Sequence, residues 1–146
     1  MHPDSYVVDA SVVAKWFNRG ESNEDEARAL RDAWTDGKVH LYAPTLLLFE
    51  VANSIWKNPA IRTKTARSVV RLLVRLSPNL LNPDEEVSEK AMMLARISKL
   101  TFYDSIYLAL AKSLSHILVT ADQEQLSIAD GYTKAIHLSS IRRFKL

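Results

Sequence analysis

The sequence contains no cysteine, which excludes disulfides, thiolate zinc sites and a cysteine nucleophile. Such a chain suits a cytoplasmic location. No apolar run approaches the ~18 residues of a membrane-spanning helix. The opening residues, Met1 to Ser5, lack the basic and apolar regions of a secretory signal. Histidine is sparse and scattered, at positions 2, 40, 116 and 137, which disfavours an imidazole-rich metal site. The formal net charge of +2 is too small to announce nucleic-acid binding by itself. No repeat, linker or low-complexity segment divides the chain.

At 146 residues the chain fits one domain, 1–146, with a real core. A hydrophobic fraction of 47% and a charged fraction of 25% rule out general disorder. Short apolar strands are expected at 6–8, 39–43, 80–81, 117–120 and 134–138. Helices are expected at 10–17, 45–56, 62–76, 84–97, 103–114 and 122–129, with another running from an N-cap at Ser22 to Trp34. A helical turn follows at 139–146. Strands alternating with helices across long connections give an α/β fold, a parallel sheet with helices on both faces. In such sheets a ligand sits beyond the carboxyl ends of the strands, where strand order reverses.

Four acids stand in apolar surroundings. Asp9 ends the first strand, Glu50 lies inside a very apolar helix, and Asp104 and Asp122 bracket the segment 103–120. Each also has a purely structural reading. Asp9 and Asp122 suit N-caps, Asp104 suits a capping box with Thr101, and Glu50 suits an ion pair with Lys57 or an arginine. Taken together, three acids at the mouth of a sheet and one on a facing helix make an oxygen-rich pocket. That pocket favours a hard divalent cation, Mg²⁺ or Mn²⁺. Ser11, Asn53 and Thr120 are possible supporting residues, by spacing from Asp9, Glu50 and Asp122.

Four blocks carry a resemblance to a known family. They are Val-Val-Asp-Ala-Ser-Val (7–12), Ala-Pro-Thr-Leu-Leu-Leu-Phe-Glu-Val-Ala-Asn-Ser-Ile (43–55), Leu-Thr-Phe-Tyr-Asp-Ser-Ile-Tyr-Leu-Ala-Leu-Ala (100–111) and Leu-Val-Thr-Ala-Asp (118–122). In content, order and spacing they resemble the motifs of PIN-domain ribonucleases, above all the toxins of VapBC toxin–antitoxin pairs. The resemblance implies a three-layer α/β/α fold with a five-stranded parallel sheet in the order 3-2-1-4-5. It implies that Asp9, Glu50, Asp104 and Asp122 bind Mg²⁺ or Mn²⁺ and catalyse RNA phosphodiester hydrolysis. It also implies a homodimer and a small antitoxin partner. Glu124 lies where relatives vary, and its membership of the site is open.

A basic stripe, Lys64, Arg67, Arg71 and Arg75, recurs at helical spacing, and Arg142, Arg143 and Lys145 form a second cluster. Either suits RNA phosphates or a solvated face. Trp16, Trp34 and Trp56 suit a core or an interface. Two rival readings are a phosphorelay receiver and a catalytically inactive binding module of the same fold. The receiver would want adjacent acids after the first strand, a phospho-acceptor Asp after the third and a lysine after the last; here Asp9 stands alone, Leu81 is followed by Asn82-Pro83, and Lys134 precedes its strand.

Overall fold

The computed structural model describes residues 4–144 and 146. His2 and Lys145 lie outside the described residues. Five strands form the sheet: β1 (Asp4–Val8), β2 (Val39–Pro44), β3 (Asn79–Leu81), β4 (Ile117–Thr120) and β5 (Ala135–His137). All pairs are parallel, in the order β3-β2-β1-β4-β5. Tyr6, Val7 and Val8 of the central strand are all buried, because both faces of a parallel sheet are covered. Pro44 ends β2 beyond the reach of β1, whose register stops at Tyr42, so its missing N–H costs the central ladder nothing.

Among the described residues seven α-helices connect the strands: α1 (Ala10–Val13), α2 (Glu24–Thr35), α3 (Leu46–Lys57), α4 (Thr63–Arg75), α5 (Glu85–Ser98), α6 (Phe102–Leu114) and α7 (Gln123–Ala129). Helix α6 packs on β1, β2 and β4, with α5 against it. Its run from Ser105 to Ala111 is wholly buried, as its nearly all-apolar surface requires. Helices α1 and α2 and the C-terminal 3-10 segment, Leu138–Arg143, cover the other face. Trp16 and Trp34 stack at 5.6 Å, and the Trp16 indole N–H donates to the Ala27 carbonyl.

Two local expectations fail. The helix expected at 10–17 changes to a 3-10 turn at Ala14–Trp16. Asn18 then folds back, its side-chain amide donating to the Ala14 carbonyl. Ser22 is not the cap of α2. Asn23 takes that position in the left-handed region (φ 57°) with no side-chain capping bond, a conformation asparagine tolerates better than most residues. Of the core or interface expected for Trp56, its 77% exposure removes the core alternative.

Lys99 closes α5 at φ 65°. The left-handed region costs an L-residue roughly 1–2 kcal/mol, against a glycine entropy penalty of roughly 0.5–1 kcal/mol. Lys99→Gly should therefore stabilise the fold by about 0.5–1 kcal/mol in denaturant titrations.

Candidate active site

The backbone brings the ends of β1 and β4 together. The Asp9 N–H donates to the Val119 carbonyl at 3.0 Å, so the ladder continues one residue past β1. The Ala121 N–H donates to the Ser11 hydroxyl oxygen at 3.0 Å. Asp9 caps α1, its Oδ2 accepting from the Ser11 N–H at 2.9 Å. Asp122 caps α7, its Oδ1 accepting from the N–H groups of Glu124 and Gln125 at 2.9 and 3.2 Å. The capping readings of both residues therefore hold. They do not compete with a role at the mouth, because the caps fix both carboxyl groups at the carboxyl ends of neighbouring strands.

Asp104 sits in the first turn of α6, where the Thr101 hydroxyl oxygen accepts from its N–H at 3.1 Å. Glu50 reaches in from α3, and its Oε1 accepts from the Tyr107 hydroxyl at 3.1 Å. Among the described residues the ion pairs are Lys15–Glu21, Arg28–Glu24, Arg31–Asp32 and Lys90–Glu86. None neutralises Glu50, so the Lys57 reading fails there.

The electrostatics tie the four acids together. Asp9 is only 5% exposed. Burial pushes its carboxyl above the ordinary range, the Ser11 and Gln125 hydrogen bonds oppose that rise, and the Asp122 charge adds to it. Glu50 is pushed up to about 7, by burial first and then by Asp9; the Tyr107 hydrogen bond pulls it back, and Asp104 adds a further rise. Asp104 is raised by burial, then by Asp9 and Asp122, against the Thr101 hydrogen bond. Exposed Glu124 contributes a last, smaller rise to Asp104.

The donor set fits a divalent ion. It is all oxygen, and its members raise one another's pKa values on top of the larger rise that burial causes. Hydrogen bonds leave acceptor capacity on the carboxyl groups. Among the described residues no group of three or more Asp, Glu, His or Cys side chains stands close enough together to hold a metal ion as placed. The set is an open cleft in which the acids act on one another through space.

The other sequence-predicted residues are distributed unevenly. Ser11 belongs to the site, stitching Asp9 to Ala121. Thr120 is fully buried, and its hydroxyl is used internally. Asn53 is exposed on α3 and has no hydrogen bond to any of the four acids. Arg67, Arg71 and Arg75 rim a groove of about 660 Å³ between α3 and α4, whose apolar side includes Ile55, Trp56, Val70 and Val74. Ala52, Ile55 and Trp56 lie roughly 140–240° around α3 from Glu50, so this groove and its arginines are on the far side of the helix from the acids. Lys64 is exposed on the same helix α4.

Two residues escaped the sequence reading. Tyr107, the hydroxyl donor to Glu50, stands in the apolar run of α6 as its one phenol. Gln125 is fully buried and touches Asp9, the Asp104 carbonyl and Thr120. Three residues after an N-cap aspartate, it reads from sequence as the far end of a capping box. The structure turns it inward instead.

A model of the PIN domain family matches residues 6–131. The chain belongs to the PIN-domain family. Ribonuclease VapC3 of Pyrobaculum aerophilum is 31% identical over 122 residues, 81% of this chain and 89% of the relative. Exonuclease VapC9 of the same organism is 26% identical over 129 residues, 88% and 89% of the two chains. Among solved structures, the VapBC2 complex of Rickettsia felis bound to a promoter DNA fragment superposes with a TM-score of 0.65. That match has 13% identity and covers 91% of this chain and 98% of that one; it shows a shared fold. Family membership removes the receiver reading.

The raised pKa of Glu50 sets a pH dependence. An acid whose folded pKa lies above its unfolded value, here about 7 against 4.5, favours folding while protonated. That contribution is fully present below the unfolded pKa and is lost as pH rises through the folded pKa. In chelator, the melting temperature should therefore fall between pH 5 and pH 8. Glu50→Gln should flatten that fall, as read from melts at half-unit pH steps.

Proposed function

We propose that this protein is a Mg²⁺- or Mn²⁺-dependent ribonuclease that hydrolyses RNA phosphodiester bonds, and that it is the toxin of a toxin–antitoxin pair acting in the cytoplasm. The observation that carries this reading is the convergence of Asp9, Glu50, Asp104 and Asp122 from four separate elements into mutual electrostatic range. Asp9 and Asp122 are the main metal holders, with Glu50 and Asp104 completing the shell or holding water. A divalent ion held by these residues would supply Lewis acidity toward the phosphoryl oxygens and the attacking water.

The chain's own groups do the rest. A carboxylate not fully committed to the ion would orient or deprotonate the attacking water, and Glu50 is the candidate. Tyr107 fixes the Glu50 carboxylate from the α6 side. The caps on Asp9 and Asp122 keep both from swinging away from the mouth. With all four acids in place, an inactive module is the weaker reading. The curated relatives, one named a ribonuclease and the other an exonuclease, support nuclease chemistry. Our reading is internal cleavage.

The test is RNA cleavage by the purified protein. Asp9→Asn, Glu50→Gln, Asp104→Asn and Asp122→Asn should each abolish cleavage while preserving the melt, and chelator should abolish it in the wild type. Two folded amide variants with wild-type activity would overturn the assignment. Stability gives a second arm. Asp104→Asn should be at least as stable as wild type in chelator, yet gain less from Mg²⁺. The wild-type gain should reach about 2.7 kcal/mol at a hundred times Kd.

We assign two protein partners to this function. The antitoxin occupies the groove between α3 and α4, whose apolar floor and arginine rim match an apolar segment carrying acidic residues. A second copy of the chain uses the exposed apolar side chains of α5, Met92, Met93 and Ile97. The earlier expectation for Lys64, Arg67, Arg71 and Arg75, contact with RNA phosphates, remains as the rival use of the stripe. Removing two phosphate-contacting residues should lower the slope of log affinity for RNA against log salt by about 1.4 for a single strand. We expect an unchanged slope for Arg71→Ala/Arg75→Ala, with affinity for an antitoxin peptide reduced instead.

A further inference from the structure

The fully buried side chain of Gln125 makes three hydrogen bonds that link four parts of the site. Its Nε2 donates to Asp9 Oδ1 at 3.3 Å and to the Asp104 carbonyl at 3.1 Å. Its Oε1 accepts from the Thr120 hydroxyl at 2.6 Å. The direction of each bond follows from its partners. A main-chain carbonyl only accepts, so the group facing Asp104 must be the amide nitrogen. The Thr120 oxygen already accepts from the Asp122 N–H at 3.0 Å, so its single proton is free for Gln125 Oε1.

The result is a relay with one polarity. It runs from the Asp122 backbone through the Thr120 hydroxyl and the Gln125 amide to the Asp9 carboxylate. The second amide proton ties the same side chain to the first turn of α6.

We infer that Gln125 is a positioning residue for the metal-binding carboxylates: it orients Asp9 and holds β1, α6 and α7 in the register that lets Asp9, Asp104 and Asp122 face one cleft. The inference rests on the metal-dependent reading above. It explains why a buried amide stands where an apolar side chain would pack without polar cost. A donor on Oδ1 and another on Oδ2 leave Asp9 one defined orientation, with its remaining lone pairs available to the cleft. Glutamate at this position would place an acceptor against two acceptors.

The test measures Mn²⁺ binding by calorimetry in the absence of RNA, alongside steady-state cleavage. Gln125→Met keeps length and volume but offers no hydrogen bond. It should weaken Mn²⁺ binding by roughly 10–100-fold, the usual effect of removing a residue that orients a ligand. It should lower kcat with little change in KM for RNA. Thr120→Val, which removes the hydroxyl that orients the amide, should act in the same direction more weakly, and Thr120→Ser should restore wild-type binding. A folded Gln125→Met with wild-type Mn²⁺ affinity overturns the inference. If Gln125→Met does not fold, Thr120→Val decides, and wild-type affinity there overturns it equally. A wild-type protein that binds no Mn²⁺ overturns the underlying site reading as well. Binding by wild type with loss in Asp9→Asn but not in Gln125→Met overturns the positioning role alone.

Discussion

The site depends on keeping a carboxylate usable where water scarcely reaches. Asp9 is almost completely buried, and an unaided carboxyl there would stay protonated. The Ser11 and Gln125 donors oppose that burial. They are available only because β1 and β4 are neighbours and the ladder runs on through Asp9 to Val119. Strand order, cap geometry and electrostatics are thus one constraint at this point. A shift of register between β1 and β4 would misplace Asp9, Ser11 and Asp122 together.

The remaining acids grade outward from this centre. Glu50 is raised chiefly by burial, with Asp9 next; Asp104 is half-buried and raised in the same order. Structural and chemical roles coincide in single residues. Asp122 caps α7 and faces the mouth, while Asp104 opens α6 and shares the field of its neighbours. A small fold can therefore hold four acids without arginine partners, since backbone N–H groups and neutral hydroxyl or amide donors supply the compensation.

Much of this was legible in the residues. Strands such as 117–120 are short apolar runs with polar borders, and the four acids stand out because each adjoins or interrupts a strongly apolar segment. The strand order came from the family resemblance, since periodicity does not order a sheet. The caps at Asp9, Asp84, Thr101 and Asp122 follow ordinary preferences, whereas Asn23 does not, because its left-handed backbone carries no sequence signature stronger than asparagine itself. Gln125 was hidden by a local rule: a capping box and an inward hydrogen-bond hub use the same spacing, and only the tertiary placement of Asp9 and Thr120 decides between them. The basic stripe was correctly placed on one helix, but sequence could not say which side of α3 that helix packs against.

The central claim is that the four carboxylates form a divalent-metal site, and location of the ion tests it most directly. Crystals grown with Mn²⁺ should show an anomalous peak in the cleft, with oxygens of Asp9 and Asp122 among its ligands and Glu50 and Asp104 bound directly or through water. A peak elsewhere, or none at millimolar Mn²⁺ with the four carboxylates ordered, would contradict the account.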